Sequence, residues 1–169
     1  RAVLECRSVG EARQVVDQAG FGKSSHFLIA DSGADALSIE FMGGRADMVE
    51  RYRGAFVHTN HCIFPDAPTD ATEESSSTSR RLQRARALLE STDERSFAVI
   101  KQILTDEHGG DLAINNPFHQ STVFPGEQVG SCGTFIINLS TGEMHVRKGP
   151  TQTNPFRTYV LSGPASVAA

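Results

Sequence analysis

The sequence predicts an α+β fold in which helices and strands occur in separate groups rather than in alternation. One helical pattern opens the chain, and several short apolar runs separated by turn residues follow it. Two further helical patterns then come together, and a second group of strands follows them. Grouped strands and grouped helices are typical of a layered α+β sandwich, whereas βαβ units would alternate.

The first helix is predicted over residues 9–19. Ser8 and Glu11 have the S-x-x-E spacing of a capping box, in which side chains satisfy the free N–H groups at a helix start. Apolar residues then recur at helical spacing, at Val9, Ala12, Val16 and Ala19. Gly20 is a stop signal, so we expect the helix to end there.

Short strands are predicted after this helix. Residues 26–30 are apolar, residues 31–35 are rich in turn formers, and residues 36–41 alternate apolar with polar side chains. This is the pattern of a β-hairpin. Residues 46–51 and 55–59 are predicted as further strands, and the last of them leads into the sequence FVHTNHC.

The stretch 65–79 is polar, low in complexity and without periodicity. It predicts a mobile surface loop within a single domain that covers residues 1–169, because neither flank is large enough to stand alone. The chain begins at Arg1, inside a helix-like stretch. We therefore expect a fragment whose N-terminal part is missing.

Two helices and three strands are predicted beyond this loop. Apolar residues recur at helical spacing in a second helix, at Leu82, Ala85 and Leu89, and in a third, at Phe97, Ile100, Ile103 and Leu104. Ser91 and Glu94 repeat the capping-box spacing ahead of the third helix. Residues 133–139 and 144–147 flank turn formers and predict a hairpin, and residues 157–161 predict a final strand.

Composition disfavours several classes of function. No apolar run approaches the roughly 18 residues of a membrane span, and no secretory signal opens the chain. The net charge is −4 and no basic tract occurs, which disfavours nucleic-acid binding. The 3 cysteines lie far apart without a CxxC pair, which argues against a disulfide framework. This usage fits a reducing compartment. The chain ends in Ser166-Val167-Ala168-Ala169 and not in an S-K-L-like tripeptide, so the cytoplasm is the default expectation.

The stretch FVHTNHC contains three zinc-ligand types, His58, His61 and Cys62. On an extended strand His58 and His61 would point to opposite faces, because side chains alternate with a period of two. His26 and His108 lie in unrelated segments. We therefore expect these histidines to be satisfied by hydrogen bonds rather than to hold a metal, and no metal site is predicted.

Cys62 beside His61 also suggests a catalytic cysteine–histidine pair. Neighbours on a strand do not face each other, and such a pair needs contact within hydrogen-bond reach. Free cysteines are commonly small buried hydrophobic residues. Cys6 and Cys132 are therefore expected to pack rather than to react.

Asn60 lies where the predicted strand ends. An amide there can donate its N–H₂ group to a developing negative charge, and one such donor contributes on the order of 3 kcal/mol to a transition state. The alternative is a turn asparagine that makes a local hydrogen bond, and the residues alone favour that alternative.

Three segments, taken in order, resemble one enzyme family. They are RAVLECRSVGEA at residues 1–12, SSHFLIAD at 24–31 and VHTNH at 57–61, followed by the TFIINL…GEMHV hairpin. Together they resemble the acyl-coenzyme A:6-aminopenicillanic acid acyltransferase (isopenicillin N acyltransferase) family of N-terminal-nucleophile hydrolases. The resemblance extends over nearly the whole chain.

This resemblance implies a four-layer αββα sandwich, incomplete here at its N-terminus, made as a self-cleaving precursor. A new N-terminal cysteine attacks an acyl group with its own α-amine as base, so amide hydrolysis or acyl exchange proceeds through a thioester. That cysteine belongs upstream of Arg1, so the fragment alone should be inactive. No metal or organic cofactor is implied, although acyl-coenzyme A can serve as acyl donor. The implied partners are a small amide or acyl substrate and the missing N-terminal part.

The resemblance also assigns three residues. Asn60 matches the asparagine that stabilises the oxyanion, His61 matches the histidine that supports the same strand end, and Ser25 falls near a serine of the family's SSHxFLxAD-like stretch. An arginine that family members carry near the strand at 131–136 is absent, although Ser79-Arg80-Arg81 can bring one in. A second hypothesis therefore stays open, namely a catalytically inactive relative that binds an acylated ligand or a partner.

Overall fold

The computed structural model describes residues 1–19, 25–42, 45–52, 54–63, 76–150 and 154–161. Helices and antiparallel sheets occur in separate groups along these residues, which confirms the α+β class. The chain divides into two compact units, Arg1–Thr69 and Asp70–Ala169. The four-layer sandwich and the single domain over residues 1–169 stay predictions.

The first unit begins with a short 3-10 helix, Ala2–Glu5, and the helix α1, Val9–Ala19, as the spacing predicts. The hydroxyl of Ser8 accepts the N–H of Glu11 at 3.2 Å, which is the first half of the predicted capping box. The reciprocal bond reaches one residue further back, since the Glu11 carboxylate accepts the N–H of Arg7 at 2.8 Å. The proposed stop at Gly20 lies outside the described residues.

The sheet of the first unit contains β1 (Ser25–Ala30), β2 (Ala36–Met42) and β3 (Arg45–Tyr52), with β2 in the centre and all pairs antiparallel. One face of β2 packs with α1 in a core that contains Leu37, Ile39, Phe41, Val9 and Val16. Burying each such aliphatic or aromatic side chain contributes roughly 1.5–3 kcal/mol. The opposite face of β2 is polar yet equally buried, because Ser38 and Glu40 are 1% and 3% exposed.

The strand predicted over residues 55–59 is not formed. Residues 54–63 have no strand assignment and join no ladder among the described residues. The segment is instead fastened by its side chains and by the N–H of Ile63, which bond to β2 side chains rather than to a neighbouring strand. Apolar content alone therefore gave the wrong element here.

The second unit opens with the helices α2, Ser77–Glu90, and α3, Phe97–Leu104. The predicted apolar positions of α2 are buried, at Leu82, Ala85 and Leu89. α2 begins inside the stretch 65–79 that was predicted as loop, because the Ser76 hydroxyl caps it; residues 64–75 lie outside the described residues. Within the part of the chain described here, no helix has the length and apolar character needed to cross a bilayer.

The predicted cap of α3 was misplaced by five residues. Ser96, not Ser91, is the N-cap, and its hydroxyl accepts the N–H of Val99 at 3.3 Å. Ser91 closes the C-terminal end of α2, where its hydroxyl donates to the carbonyl of Leu88 at 2.7 Å. The S-x-x-E spacing occurs at Ser91, ahead of the polar residues 92–95, so it did not distinguish the end of one helix from the start of the next.

The described strands of the second unit form two sheets. β4 (His119–Gln120) pairs with β5 (Gln128–Val129), and β6 (Gly133–Asn138), β7 (Glu143–Lys148) and β8 (Arg157–Val160) form an antiparallel sheet in that order. The hairpin predicted around residues 140–143 and the predicted final strand are confirmed.

Arg147 on β7 is buried beneath this sheet, with only 2% of its surface exposed. One terminal nitrogen, Nη2, lies 3.2 Å from Asn115 Oδ1 and 3.4 Å from Thr134 Oγ1. The guanidinium carbon lies 5.3 Å from the centre of the Phe156 ring, within the range of a cation–π contact. Amide, hydroxyl and ring contacts therefore stabilise this buried charge.

Candidate functional site

The FVHTNHC segment lies against the polar face of β1 and β2. His26 on β1 is directly opposite Glu40 on β2 in the strand register, and its Nε2 lies 2.9 Å from the hydroxyl oxygen of Ser38. The ring of His58 stacks on the ring of His26, with centroids 3.6 Å apart. The ring of Phe56 is tilted against both, with centroid distances of 5.9 and 6.2 Å. The FVHTNHC segment therefore packs on the polar face of the hairpin.

Glu40 is the centre of this contact. One carboxylate oxygen forms a short hydrogen bond with Nε2 of His58, and the other accepts the Cys62 thiol with an S···O distance of 3.1 Å. The N–H of Ile63 reaches both oxygens, at 3.1 and 3.2 Å. A buried carboxylate is costly unless it is hydrogen-bonded, and in the described part of the chain its donors come from residues 58–63.

The charges of the cluster follow from these contacts. Burial raises the pKa of Glu40, but hydrogen bonds from His58, Cys62 and the Ile63 N–H outweigh burial and hold that pKa below its ordinary value. Burial lowers the pKa of His26, the charge of His58 lowers it further, and the charge of Glu40 opposes both. At neutral pH, Glu40 is therefore ionised and His26 is uncharged.

Asn60 lies between the two anchored parts of the segment. His58 precedes it by two residues and Cys62 follows it by two, and both are bonded to Glu40. Asn60 is exposed, at a bend rather than at the strand end that the sequence predicted. Nδ1 of His61 lies 3.1 Å from Oγ1 of Thr59, so this contact spans Asn60. An exposed amide on an anchored loop can reach a ligand, which is the requirement for an oxyanion donor.

Ser25, the third residue that the resemblance assigns, lies on β1 next to His26. It opens β1 opposite Phe41, and because side chains alternate along a strand it shares the face of Phe27 and Ile29. Those two residues pack toward the core of the first unit, whereas His26 lies on the other face with Glu40. The register therefore places Ser25 on the other face of β1 from His26, and its role stays a prediction.

The zinc and cysteine–histidine hypotheses receive no support from the geometry. His58 and Cys62 both turn to Glu40, while His61 turns to Thr59. Among the residues that can be described, no group of three or more histidine, cysteine or carboxylate side chains could hold a metal ion. The Cys62 thiol donates a hydrogen bond to a carboxylate, whereas the nucleophilic form of cysteine is the thiolate.

Cys6 and Cys132 were both expected to pack, and their environments differ. Cys132 is exposed just ahead of β6, so the expectation that it packs was wrong; Cys6 is half-buried, with its thiol 3.4 Å from the carbonyl of Ala2.

Arg81 lies in the first turns of α2 and donates from Nε to the carbonyl of Ser77 at 3.3 Å. Burial lowers the pKa of Arg81, while Arg80 is exposed.

Sequence reasoning missed Glu40 and the partnership of His26 with His58. A signal for both was present in ALSIEFM, where the apolar Leu37, Ile39 and Phe41 alternate with Ser38 and Glu40. A glutamate on the inner side of a hairpin needs partners, since ionised side chains are almost never fully buried alone. The register of the hairpin then places Glu40 opposite His26.

The family model for acyl-coenzyme A:6-aminopenicillanic acid acyl-transferase matches residues 1–124. The chain belongs to this family. The match confirms the resemblance carried by the three N-terminal segments, and it indicates acyltransferase activity in general. In this acyltransferase chain, the matched residues include α1, β1 to β3, the FVHTNHC segment, α2 and α3. No curated protein matches the chain.

Proposed function

We propose that this chain is part of an amide hydrolase or acyltransferase in which Asn60 stabilises the oxyanion of an acyl-transfer reaction. Membership of the acyltransferase family supports the class of reaction. The observation that carries the residue assignment is that Asn60 is exposed between His58 and Cys62, both bonded to the buried carboxylate of Glu40. This arrangement presents one amide at a defined place, as electrostatic stabilisation of a transition state requires.

The proposed nucleophile is an N-terminal cysteine encoded upstream of Arg1. Its α-amine takes the thiol proton, and the sulfur adds to the acyl carbonyl, so that a tetrahedral oxyanion forms. Nδ2 of Asn60 donates a hydrogen bond to that oxygen. When the intermediate collapses, the leaving amine or coenzyme A thiol takes up the proton and a thioester remains. Water or an amine then attacks the thioester and restores the free cysteine.

His61 supports the Asn60 backbone through its contact with Thr59 in this proposal. Ser25 has no proposed contact with the reacting atoms, because it lies on the opposite face of β1 from the cluster. The substrate is a small amide or an acyl-coenzyme A, and the proposal needs no metal or organic cofactor. The remaining catalytic group is expected in the N-terminal part of the same precursor.

The test uses the protein expressed from its full-length gene. It is incubated with hexanoyl-coenzyme A, with and without 6-aminopenicillanic acid, and separately with N-acyl 4-nitroanilides. We expect release of coenzyme A or 4-nitroaniline and an acyl adduct on the N-terminal cysteine by intact mass spectrometry. Residues 1–169 alone are the matched control and should show neither signal.

Two results would overturn this proposal. The first is an upstream sequence without a cysteine at a processed N-terminus, and the second is a full-length protein that forms no acyl adduct. If that protein still bound hexanoyl-coenzyme A in a calorimetric titration, the alternative of an inactive relative that binds acylated ligands would replace the enzyme.

A further inference from the structure

We infer that Glu40 is the positioning residue for Asn60: its buried carboxylate fixes the loop that presents the oxyanion donor. The inference rests on the proposed function of Asn60 and extends it to a residue on a different element. Glu40 does not touch the reacting atoms in this account. It acts through the backbone of residues 58–63.

The loop needs such an anchor because it has no strand to hold it. Residues 54–63 join no ladder in the described chain, so the usual source of backbone rigidity is missing on this side of the sheet. A catalytic donor must nevertheless be held closely, since a displacement of about 1 Å can cost about 100-fold in rate. The hydrogen bonds to Glu40 supply fixed points on both sides of Asn60.

The anchor itself is part of a paired and packed strand. Glu40 lies on β2, the central strand of the sheet, with His26 opposite it on β1 and Met48 opposite it on β3. The neighbouring Ile39 is fully buried in the core with α1. The carboxylate therefore transmits the geometry of a packed strand to an irregular loop.

General stability does not explain this arrangement well. An apolar side chain of similar size is often as stabilising as a buried charge, whereas removing one partner leaves costly unpaired groups. Among the described residues, the hydrogen bonds of the Glu40 carboxylate go to the loop that carries Asn60, at His58, Cys62 and Ile63. Because both carboxylate oxygens of Glu40 bond to this one loop, the arrangement fits a role in orienting the loop.

The test compares kcat of the full-length enzyme with that of Glu40→Gln, Asn60→Ala and the double variant, using hexanoyl-coenzyme A as acyl donor. Glutamine keeps the shape but replaces one acceptor oxygen with a donor. We expect Glu40→Gln to lower kcat by about 10- to 100-fold, bounded by the effect of removing the oxyanion donor itself. KM should change by less than about threefold, because ground-state binding is not the target.

The double variant separates positioning from a general structural role. If Glu40 acts through Asn60, adding Glu40→Gln to Asn60→Ala should slow the enzyme by less than about threefold more. Multiplicative losses would overturn the inference. The control is Ile39→Val, which weakens the same strand on its other face and should leave kcat within about twofold.

The single variants also distinguish a failure of the Glu40 positioning role from a failure of the proposed oxyanion role of Asn60. If kcat falls in Asn60→Ala but is unchanged in Glu40→Gln, the positioning role alone is overturned. If kcat is unchanged in Asn60→Ala, the proposed oxyanion function is overturned. Should Glu40→Gln fail to fold, Cys62→Ala removes one donor and keeps the carboxylate. It is expected to lower kcat by about threefold or more, and an unchanged kcat would overturn the inference.

Discussion

The imidazole rings of His26 and His58 are stacked face to face, with centroids 3.6 Å apart and planes inclined by only 5°. Two charged rings at this distance would repel each other, and burial adds to the cost of charging His26. Burial and the charge of His58 lower the pKa of His26, against the smaller opposing effect of Glu40. The stack therefore has a consequence for the stability of the first unit.

Stability should fall as the pH drops below about 6.5, the ordinary histidine value. The unfolded chain takes up a proton on His26 there, while the folded chain resists it until the pH reaches the lowered pKa. The lowered pKa of Glu40 acts in a separate window, below its ordinary value of 4.5. Melting temperatures between pH 5 and 7.5 should therefore slope less in His26→Gln than in the wild type. Equal slopes would contradict this prediction. Ile39→Val is the control for a loss of stability that does not depend on pH.

Cys132 should react faster with iodoacetamide than Cys62. Cys132 is exposed, whereas Cys62 is half-buried and its thiol donates a hydrogen bond to the Glu40 carboxylate. Peptide mapping after brief alkylation measures both rates in one sample. Preferential labelling of Cys62 would show that the bond to Glu40 is absent.

Arg147→Lys should destabilise the second unit by about 1–3 kcal/mol. A lysine cannot reproduce the contacts of the guanidinium with Asn115, Thr134 and the Phe156 ring, so buried acceptors lose their donor. Urea denaturation measures the change. Arg157→Lys, at an exposed position on β8, is the matched control and should change the free energy of unfolding by less than about 0.5 kcal/mol.

Ser96→Ala should cost about 1 kcal/mol, because the Ser96 hydroxyl caps α3. Ser91→Ala should cost less than about 0.5 kcal/mol, since that exposed hydroxyl only donates to a carbonyl at the end of α2. Chemical denaturation of the two variants side by side decides the order. The reverse order would restore the cap that the sequence pattern suggested at Ser91.

Elements with strong local patterns could be predicted from the sequence. The bounds of α1 follow from the spacing of Val9, Ala12 and Val16, and the β6–β7 hairpin follows from turn residues between two apolar runs. Such signals depend only on neighbours along the chain. The roles of Asn60 and His61 rest instead on the resemblance of the VHTNH segment to a family, and they stay predictions.

The environment of the candidate site could not be predicted in the same way. Glu40 and His58 are 18 residues apart, and their contact depends on the hairpin register and on a loop that forms no ladder. An apolar run such as AFV resembles a strand whether or not a neighbouring strand is available to pair with it. The strand predicted at 55–59 failed for this reason, and with it the premise that Asn60 ends a strand.

The most direct measurement for the central claim is kcat of the full-length enzyme before and after Asn60→Ala, with hexanoyl-coenzyme A as donor. Removing one oxyanion donor typically lowers kcat by about 100- to 1,000-fold. We expect a fall of that size with folding intact by circular dichroism and KM changed by less than about threefold. A kcat within twofold of the wild type would contradict the role of Asn60 and, with it, the purpose assigned to the Glu40 anchor.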